Sequence, residues 1–543
     1  MRIALAQVNP TVGDLSGNRG LVEEAAAKAE AAGAELVVLP EMVLTGYPPM
    51  DLLERDGFVR DQLRELEALE KASQSIAIAL GAVMPCTPRG GKHLENCAVL
   101  LRRGERVASR AKSLLPTYDV FDEKRYFTPA TGREPAPWSS SDLLGLSVCE
   151  DAWVERIPYE VDPIGELAEQ GASLMVNLSA SPWHATKPEA RREMIATLAS
   201  RNRTPIVFVN QVGGNDELIF DGGSFAVDAS GRFFQTSPLF ESCLSVVDVE
   251  TGGGALALGD IADPERIAQL ESALALGIQD YFRKQGLPPG AVIGLSGGID
   301  SAVTAHLAVA ALGRERVLGI AMPGPFSSRH SVDDALALGE NLGIEVRTVP
   351  IGPIYDAYLS VFGSLFGERD DYGIAQQNVQ SRIRGAILMA ASNAENRLVL
   401  ATGNKSELSV GYCTLYGDTV GGLAVLGDVY KRDVYALARH ANRAELRIPL
   451  NTIEKPPSAE LAPDQLDTDD LPPYDVLDAV LAQAIEGSTE PLPAGTSDEV
   501  ARNIRKRLDR NEYKRRQSPL VLRVSSKAFG TGRRLPIVHR YAF

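Results

Sequence analysis

The stretch AVIGLSGGIDSAV, residues 291–303, constrains the fold of this chain more than any other. Its apolar first half is typical of a buried strand, and the segment DSAVTAHLAVAALG that follows has the pattern of a helix. Glycines at such a turn let backbone N–H groups approach a ligand, and the helix N-terminus adds partial positive charge. The stretch therefore predicts a strand–turn–helix unit that binds an anion; the alternative is a tight turn without a ligand.

Strands and helices alternate on both sides of this turn. The segments RVLGIAMP, EVRTVPI and RLVLATGN predict further strands, and helical patterns such as SVDDALALGENLG lie between them. Strands that alternate with helices form a parallel sheet with crossover helices. The second half of the chain is therefore predicted to have a Rossmann-like parallel sheet.

The first half has the same alternation but a different ending. RIALAQV, AELVVLPE, LLGLSVCED and SLMVNLSAS predict strands, whereas GSFAVDASGRFFQTS predicts a hairpin. A glycine-rich stretch, TGGGALALGDIADPE, then separates the two halves. Because a chain of 543 residues has room for two large domains, we predict domains at residues 1–250 and 265–543, with a linker at 251–264.

Composition limits the class of partner and the compartment. The net charge of −16 argues against a chain-wide nucleic-acid surface. No apolar run is long enough for a transmembrane helix, and the N-terminal apolar run is too short for a signal peptide. Five cysteines without a CxxC pair do not form a disulfide framework. We therefore expect a cytoplasmic protein that binds neither membranes nor nucleic acids.

The anion loop lacks the lysine of a Walker A motif and the GxGxxG pattern of dinucleotide-binding turns. GLSGGIDS instead resembles the loop of the ATP pyrophosphatases, which cleave ATP between the α and β phosphates and release AMP. The resemblance implies that Asp300 binds Mg²⁺, a metal that takes few carboxylates. It also assigns the loop to ATP binding: Gly294, Leu295, Ser296, Gly297, Gly298, Ile299, Asp300 and Ser301.

A second carboxylate is found in ATGNKSELSVGYCTLYGD, residues 401–418, which again follows a strand and opens a helix, with Ser406 a candidate cap. Without further context, Glu407 is interpreted as an acid in a first helical turn, where the helix dipole favours negative charge. The stretch closely resembles the NAD synthetases, and this resemblance assigns Thr402 to ATP, Glu407 to Mg²⁺ and the dinucleotide substrate, and Asp418 to that substrate. QQNVQSRIRG, residues 376–385, resembles their dinucleotide-contact helix. This resemblance nominates Asn378 as a contact of the dinucleotide, with Arg382 and Arg384 as candidates that face its phosphates.

The C-terminal region is basic, with twelve Lys or Arg residues and two acids between Arg502 and Arg534. Such a cluster is typical of a solvated face and also of RNA contact. NEYKRRQ resembles the C-terminal segment of the synthetases, which implies that Lys514 reaches the phosphates of the dinucleotide. Upstream, the Pro- and Asp-rich segment 455–475 is predicted as a solvated loop or as a lid over the nucleotide.

An enzyme that forms an amide with ATP needs ammonia, which is mostly ammonium at neutral pH, and a glutaminase in the first half would supply it. Glu41 and Cys149 lie at strand ends, and Lys112 lies between them in sequence. A lone cysteine at a strand end is ordinarily a small buried residue. These segments resemble the nitrilase superfamily, whose catalytic Glu, Lys and Cys occupy such positions. The same resemblance assigns Tyr118, Ser181 and Lys187 to glutamine and makes Glu123 a second, orienting carboxylate.

The resemblance spans nearly the whole chain and implies a nitrilase-like α-β-β-α sandwich followed by the synthetase domain. It implies ATP-dependent amidation of deamido-NAD⁺ through an adenylated intermediate, with Mg²⁺, and a homo-oligomer. Three alternatives remain at this point: another glutamine-dependent ATP pyrophosphatase, such as one that makes GMP or asparagine; a nucleotide sensor without activity; and a tRNA-thiolating enzyme.

Overall fold

The chain divides into two units, Met1–Pro264 and Glu265–Phe543. The structure is a computed structural model that describes residues 1–55, 57–249, 256–288 and 290–541. Of the predicted linker, residues 251–255 fall outside the described residues. The remainder packs within the first unit, where Leu256 bridges to Phe233 and Asp263 pairs with Arg192 at 2.6 Å. The domain limits given above stay predictions.

The first unit contains fourteen strands and five α-helices among its described residues. The strands are β1 Arg2–Gln7, β2 Leu36–Val38, β3 Ala77–Arg89, β4 Lys92–Arg102, β5 Glu105–Ala111, β6 Ala136–Pro137, β7 Leu143–Val148, β8 Leu174–Ser179, β9 Ile206–Asn210, β10 Val212–Asn215, β11 Leu218–Asp221, β12 Phe225–Val227, β13 Phe233–Thr236 and β14 Cys243–Asp248. The helices are α1 Leu15–Ala31, α2 Phe58–Ala72, α3 Glu123–Tyr126, α4 Pro163–Glu169 and α5 Lys187–Asn202.

Two six-stranded sheets form the centre of the first unit, in the orders β14-β1-β2-β3-β4-β5 and β13-β12-β9-β8-β7-β6. Alternate residues of β1 to β4 pack against alternate residues of β7 to β9, so the two sheets share one apolar core. The opposite face of the first sheet is covered by α1 and α2, and that of the second by α4 and α5. This arrangement confirms the predicted α-β-β-α sandwich, because each sheet buries one face on its partner and the other under helices.

Sequence patterns explain several of these elements. The strand β8 is buried along its whole length, as expected for a central parallel strand with both faces covered. The helix α1 begins at Asp14, whose side chain accepts a hydrogen bond from the backbone of Gly17. The predicted hairpin is also confirmed, since β12 and β13 pair in antiparallel orientation.

The second unit contains six strands and eleven α-helices in its described part. The strands are β15 Gly290–Leu295, β16 Val317–Ala321, β17 Glu345–Thr348, β18 Arg397–Ala401, β19 Leu423–Ala424 and β20 Leu520–Val521. The helices are α6 Arg266–Gln285, α7 Ile299–Leu312, α8 Arg329–Leu342, α9 Gly352–Phe366, α10 Ile374–Glu395, α11 Lys405–Val410, α12 Lys431–Ala441, α13 Leu450–Glu454, α14 Tyr474–Glu486, α15 Asp498–Arg510 and α16 Glu512–Arg515.

The six strands of the second unit form one sheet in the order β17-β16-β15-β18-β19-β20, and every pair is parallel. This confirms the predicted parallel sheet. The strand order reverses between β15 and β18, because β16 and β17 extend the sheet on one side of β15 and β18 to β20 extend it on the other. The carboxyl ends of β15 and β18 therefore flank the crevice where ligands bind in such folds. None of the described helices combines the length and the hydropathy that a membrane span requires.

Candidate active sites

Three strand ends of the first unit carry the predicted Glu, Lys and Cys. Glu41 follows β2, Lys112 follows β5 directly, and Cys149 follows β7 and opens a short 3₁₀ helix, Cys149–Glu155. All three side chains are buried, with exposures of 0%, 1% and 6%. The structure therefore brings together residues that are far apart in sequence.

Lys112 lies between two carboxylates. Its Nζ atom is 2.8 Å from Oε1 of Glu41 and 2.8 Å from Oε1 of Glu123. Glu41 also accepts hydrogen bonds from Nδ2 of Asn96 at 2.6 Å and from the backbone N–H of Ala180 at 3.0 Å. Burial lowers the pKa of Lys112, but Glu123 and Glu41 outweigh this and hold the pKa above its usual value. The lysine is therefore a fixed cation, and hydrogen bonds hold Glu41 in one orientation.

Cys149 has a backbone that is uncommon for a residue other than glycine, with φ at 39°. Such conformations cluster at active sites, where the surrounding structure enforces them. Burial raises the pKa of the Cys149 thiol, the charge of Glu41 raises it further, and Lys112 opposes both. The thiol is therefore neutral at rest and needs a base to take its proton.

The predicted glutamine contacts lie around this cluster. The hydroxyl of Tyr118 donates to Oε1 of Glu150 at 2.9 Å. The Nζ atom of Lys187 lies 5.2 Å from the centroid of the Trp153 ring, and its charge acts on the Cys149 thiol. The Oγ atom of Ser181 is buried and has no hydrogen-bond partner among the described residues. A buried hydroxyl without a partner fits a position that a ligand would satisfy.

Glu123 has one oxygen on Lys112 and accepts a hydrogen bond from the Tyr47 hydroxyl at 2.9 Å. Burial raises its pKa to about 7, and Lys112 opposes the shift. Its contacts match those of a carboxylate that orients the lysine, but its role in orienting stays a prediction.

Sequence reasoning missed Asn96, Glu150 and Tyr159. Asn96 reaches Glu41 from β4, and Tyr159 donates to the same oxygen of Glu150 as Tyr118, at 2.5 Å. Glu150 could have been nominated from its place directly after Cys149 in the sequence, because an acid that is buried there needs a partner. Nothing in the local pattern around Asn96 or Tyr159 distinguishes them from structural residues.

The predicted anion loop of the second unit joins β15 to α7. Gly297 has φ at +77°, and a Cβ atom there would collide with the backbone of Ser331. The Oγ atoms of Ser296 and Ser301 lie 3.2 Å apart, and Ser296 Oγ accepts a hydrogen bond from the backbone of Gly298 at 3.2 Å. Glycine is therefore required at position 297, and two hydroxyls and the α7 N-terminus converge on the loop.

Two predicted metal ligands converge on one buried cation. The Nζ atom of Lys431 is 2.6 Å from Oδ2 of Asp300 and 3.1 Å from Oε1 of Glu407. Asn404 donates to the other oxygen of Asp300 at 2.8 Å and accepts from the backbone of Glu407 at 3.0 Å. Burial raises the pKa of Glu407 to about 7, while Lys431 opposes the shift and Asp300 adds to it.

This donor set fits Mg²⁺. Two carboxylates that reach one cation provide the hard oxygen ligands that Mg²⁺ prefers, and the ion usually completes its shell with phosphate oxygens and water. Within the described residues, no group of three His, Cys, Asp or Glu side chains is suited to hold a metal.

A cavity of about 690 Å³ opens beside these residues. Most of the residues predicted to bind ATP or the dinucleotide line it, namely Gly294, Leu295, Ser296, Gly298, Ile299, Asp300, Ser301, Asn378, Arg384, Thr402, Glu407, Asp418 and Lys514. Residues of the segment 455–475 line it as well, among them Ser458, Glu460 and Asp467. The carboxylate of Glu460 accepts hydrogen bonds from the hydroxyls of Ser328 and Ser331, both at 2.8 Å, so the segment is tied to the start of α8.

Three predicted substrate residues differ in setting. Lys514 donates to the backbone oxygens of Gly411 and Cys413 at 2.6 and 2.8 Å, beside the cavity. Asp418 is exposed at the cavity wall and accepts from the backbone of Thr414 at 2.7 Å. Arg382 is exposed, is not among the described residues that line the cavity, and donates to a backbone oxygen instead.

Two features of this site were not foreseen from the sequence. Lys431 was missed because its burial depends on α12 being packed against α7 and α14, which no local pattern reveals. The candidate cap of α11, Ser406, was wrong: Asn404 caps the helix through its side chain, and the Ser406 hydroxyl donates to Asp478.

Comparisons with known proteins agree with both units. Residues 2–255 match the carbon-nitrogen hydrolase family model, and residues 270–518 match the NAD synthase model. A glutamine-dependent NAD(+) synthetase from Synechocystis is 46% identical, with 99% of each chain covered. Its counterpart from Thermotoga maritima is 38% identical over 100% of this chain and 99% of the relative. The solved structure of glutamine-dependent NAD+ synthetase from Acinetobacter baumannii, in complex with ADP, is 35% identical, with a TM-score of 0.78 over 99% of this chain and 98% of that one.

Fold and site thus define a two-domain enzyme that joins a carbon–nitrogen hydrolase to a nucleotide-binding synthase of the ligase type. The relatives identify it further. The chain belongs to the glutamine-dependent NAD(+) synthetases, which confirms the resemblance seen in the sequence.

Proposed function

We propose that this chain makes NAD⁺ by ATP-dependent amidation of deamido-NAD⁺, with glutamine as the nitrogen donor. The observation that carries the proposal is the presence, in one chain, of the buried Glu41–Lys112–Cys149 cluster and of a phosphate loop beside Asp300 and Glu407. The first set of residues suits release of ammonia from an amide. The second suits activation of a carboxylate by ATP.

The first unit would release ammonia through a thioester. Cys149 attacks the carboxamide carbon of glutamine while Glu41 takes the thiol proton, and the Lys112 ammonium stabilises the developing oxyanion. Glu41 then returns the proton to the departing ammonia. A water molecule, with Glu41 again as base, hydrolyses the thioester to glutamate. The hydrogen bonds that Glu41 accepts from Lys112 and Asn96 leave it one orientation for both proton transfers.

The second unit would activate the substrate carboxylate. The nicotinate carboxylate of deamido-NAD⁺ attacks the α-phosphorus of ATP, and pyrophosphate leaves toward the loop at Ser296–Ser301. Ammonia then displaces AMP from the adenylate and forms the carboxamide. The protein contributes mainly by holding the reactants in line and by stabilising phosphate charge. Lys431 supplies such a charge beside the loop, and Lys514 faces the cavity that would hold the dinucleotide.

Asp300 and Glu407 are the residues that would hold Mg²⁺, whose charge would neutralise phosphate oxygens of the bound nucleotide. Both carboxylates already converge on one cation, Lys431.

An assay with three acceptor substrates tests the proposal against the related enzymes. Purified protein receives ATP, Mg²⁺ and glutamine with deamido-NAD⁺, xanthosine monophosphate or aspartate, and AMP, pyrophosphate and the amide product are measured. We expect product only from deamido-NAD⁺, in equal amounts with AMP. Absence of NAD⁺ in that reaction contradicts the proposal, and GMP or asparagine from the other two reactions supports a different member of the ATP pyrophosphatases.

We further propose that the protein is a cytoplasmic homo-oligomer with no nucleic-acid or membrane partner. All five cysteines are free thiols, as suits a reducing compartment. An apolar stripe on α9, formed by Ile354, Tyr358, Val361 and Leu365, is 43–67% exposed, which is unusual for a monomer. Light scattering after gel filtration should give a multiple of 58.3 kDa, and Val361→Asp with Leu365→Asp should lower it. A wild-type protein that is monomeric in solution contradicts the proposed homo-oligomer.

A further inference from the structure

The first turn of α12 is capped by a side chain from another helix. Lys431 is the first residue of α12, and the preceding residue, Tyr430, gives no side-chain cap within the described residues. The backbone N–H of Arg432 donates instead to Oδ2 of Asp478, at 3.0 Å. Asp478 lies on α14 and is fully buried. A carboxylate at a helix N-terminus satisfies unpaired N–H groups and interacts favourably with the helix dipole.

The same carboxylate also binds α11. The hydroxyl of Ser406 donates to Oδ1 of Asp478 and accepts a hydrogen bond from the backbone N–H of Lys431 at 2.9 Å. Ser406 precedes Glu407 in sequence, and its side chain is fully buried. Asp478 therefore joins the helix that carries Glu407 to the helix that carries Lys431.

A second residue of α14 faces the same two side chains. Tyr474 lies one helical turn before Asp478, and its hydroxyl is 3.4 Å from Oε1 of Glu407. Its ring centroid lies 5.1 Å from the Nζ atom of Lys431. Residues four apart lie on one face of a helix. This face of α14 therefore packs directly behind the pair Lys431 and Glu407.

We propose that Asp478 is a positioning residue of the synthetase site, which sets the place of Lys431 relative to Glu407 by capping α12 and binding Ser406 at once. The proposal rests on the proposed function of the second unit. Asp478 itself touches neither substrate nor the phosphate loop in the contacts described above. Its effect on activity is transmitted by Lys431, whose ammonium must meet phosphate charge at a fixed place.

The charge of Asp478 matters for this role. A carboxylate only accepts hydrogen bonds, which suits the N–H of Arg432 and the O–H of Ser406. An amide of the same shape keeps its oxygen on the N–H of Arg432 only by turning its NH₂ group toward Ser406, whose hydroxyl must then accept instead of donate. Asp478→Asn therefore reverses the hydrogen bond to Ser406 and removes the negative charge at the start of α12, while it keeps the volume of the side chain.

Ammonia-supported NAD⁺ formation by the full chain tests the proposal. We expect Asp478→Asn to lower kcat by about 10- to 100-fold with little change in the KM for deamido-NAD⁺, because a small misplacement of a charged group is costly at the reacting centre. Asp475→Asn, the same change at an exposed position of α14, should leave kcat unchanged. Basal glutamine hydrolysis should be unchanged in both variants. Equal kcat values for the two variants overturn the proposal.

A double-variant cycle separates positioning from a general loss of stability. In the Lys431→Met background, Asp478→Asn should cause no further loss of kcat, whereas independent losses would multiply. Multiplicative losses therefore overturn the proposal.

Thermal unfolding shows whether Asp478→Asn folds. If it does not fold, Ser406→Ala takes its place in the test. We then expect a smaller loss of kcat, which again vanishes in the Lys431→Met background. A wild-type protein that makes no NAD⁺ overturns the proposed function, and this inference with it; a normal wild-type rate with an unaffected variant overturns the inference alone.

Discussion

The Nζ atom of Lys431, a buried side chain, lies 2.6 Å from Oδ2 of Asp300 at the wall of the cavity in the second unit. Burial lowers the pKa of Lys431, but Asp300 and Glu407 outweigh this effect and raise it, so the side chain stays charged. The two acidic partners compensate the buried charge of the lysine. In the proposed reaction, the same ammonium would provide positive charge for the phosphates of the nucleotide.

We expect Lys431→Met to lower NAD⁺ formation with ammonia and with glutamine alike. The loss should be about 100-fold or more, the size seen when one preorganised group that stabilises transition-state charge is removed. Steady-state rates with each nitrogen source measure the effect, and Arg432→Met, which removes a half-exposed charge one residue along, is the matched control. A loss confined to the glutamine-supported reaction would contradict a role at the phosphates.

Cys149→Ala should have the complementary effect. Without the thiol no thioester forms, so glutamine-supported synthesis should fall to background while ammonia-supported synthesis stays within about twofold, since the change removes only a small buried group. Cys97→Ala is the control, because Cys97 is another buried thiol of the first unit. Loss of both reactions would show that the two halves depend on each other more than proposed.

The sequence predicted the fold well because most of its signals are local. The strands and the phosphate turn follow from apolar runs, glycines and helix starts that lie close together in the chain, as in GLSGGIDS. The hairpin β12–β13 followed from a short turn between apolar segments. These elements needed no knowledge of what packs against them.

The residues of the two sites could not be predicted from such local signals. Glu41, Lys112 and Cys149 were found through resemblance, because their spacing in sequence carries no signal before the sheets assemble. Lys431 and Asp478 were missed because their function depends on burial, which is set by the packing of α12 and α14. A lysine near a helix start is ordinarily an exposed residue, so its sequence context pointed away from the site.

Alkylation of Cys149 tests the electrostatics of the first unit. Burial and the charge of Glu41 raise the thiol pKa, so thiolate is scarce at neutral pH. Iodoacetamide should therefore label Cys149 slowly at pH 7.5, and labelling should keep rising above pH 9, the opposite of a thiol with a lowered pKa. Peptide mass mapping of Cys149 over a pH series measures this, and labelling that levels off below pH 8 would contradict it.

The variant Glu41→Gln tests whether the negative charge of Glu41 raises or lowers the pKa of the Cys149 thiol. Removing the negative charge should lower the Cys149 pKa, so labelling at a fixed neutral pH should become faster although glutamine hydrolysis falls by about 100-fold or more with loss of the general base. Glu105→Gln, at the exposed start of β5 and at the opposite end of that strand from Lys112, is the control for labelling. Slower labelling in Glu41→Gln would mean that Glu41 promotes ionisation of the thiol at rest.

Glu150 should set the selectivity of the first unit for an amino acid amide. It is buried beside Cys149, and the hydroxyls of Tyr118 and Tyr159 hold one of its oxygens at 2.9 and 2.5 Å. A carboxylate in this place suits the α-ammonium group of glutamine, and a hydrogen bond to a charged group contributes enough for about a 10- to 100-fold preference. We therefore expect Glu150→Gln to lower kcat/KM for glutamine by that factor and to leave hydrolysis of its des-amino analogue, glutaramate, nearly unchanged. Glu155→Gln, at the exposed end of the same 3₁₀ helix, should affect neither substrate. If Glu150→Gln lowers kcat/KM equally for glutamine and glutaramate, Glu150 instead acts by holding Cys149 in place.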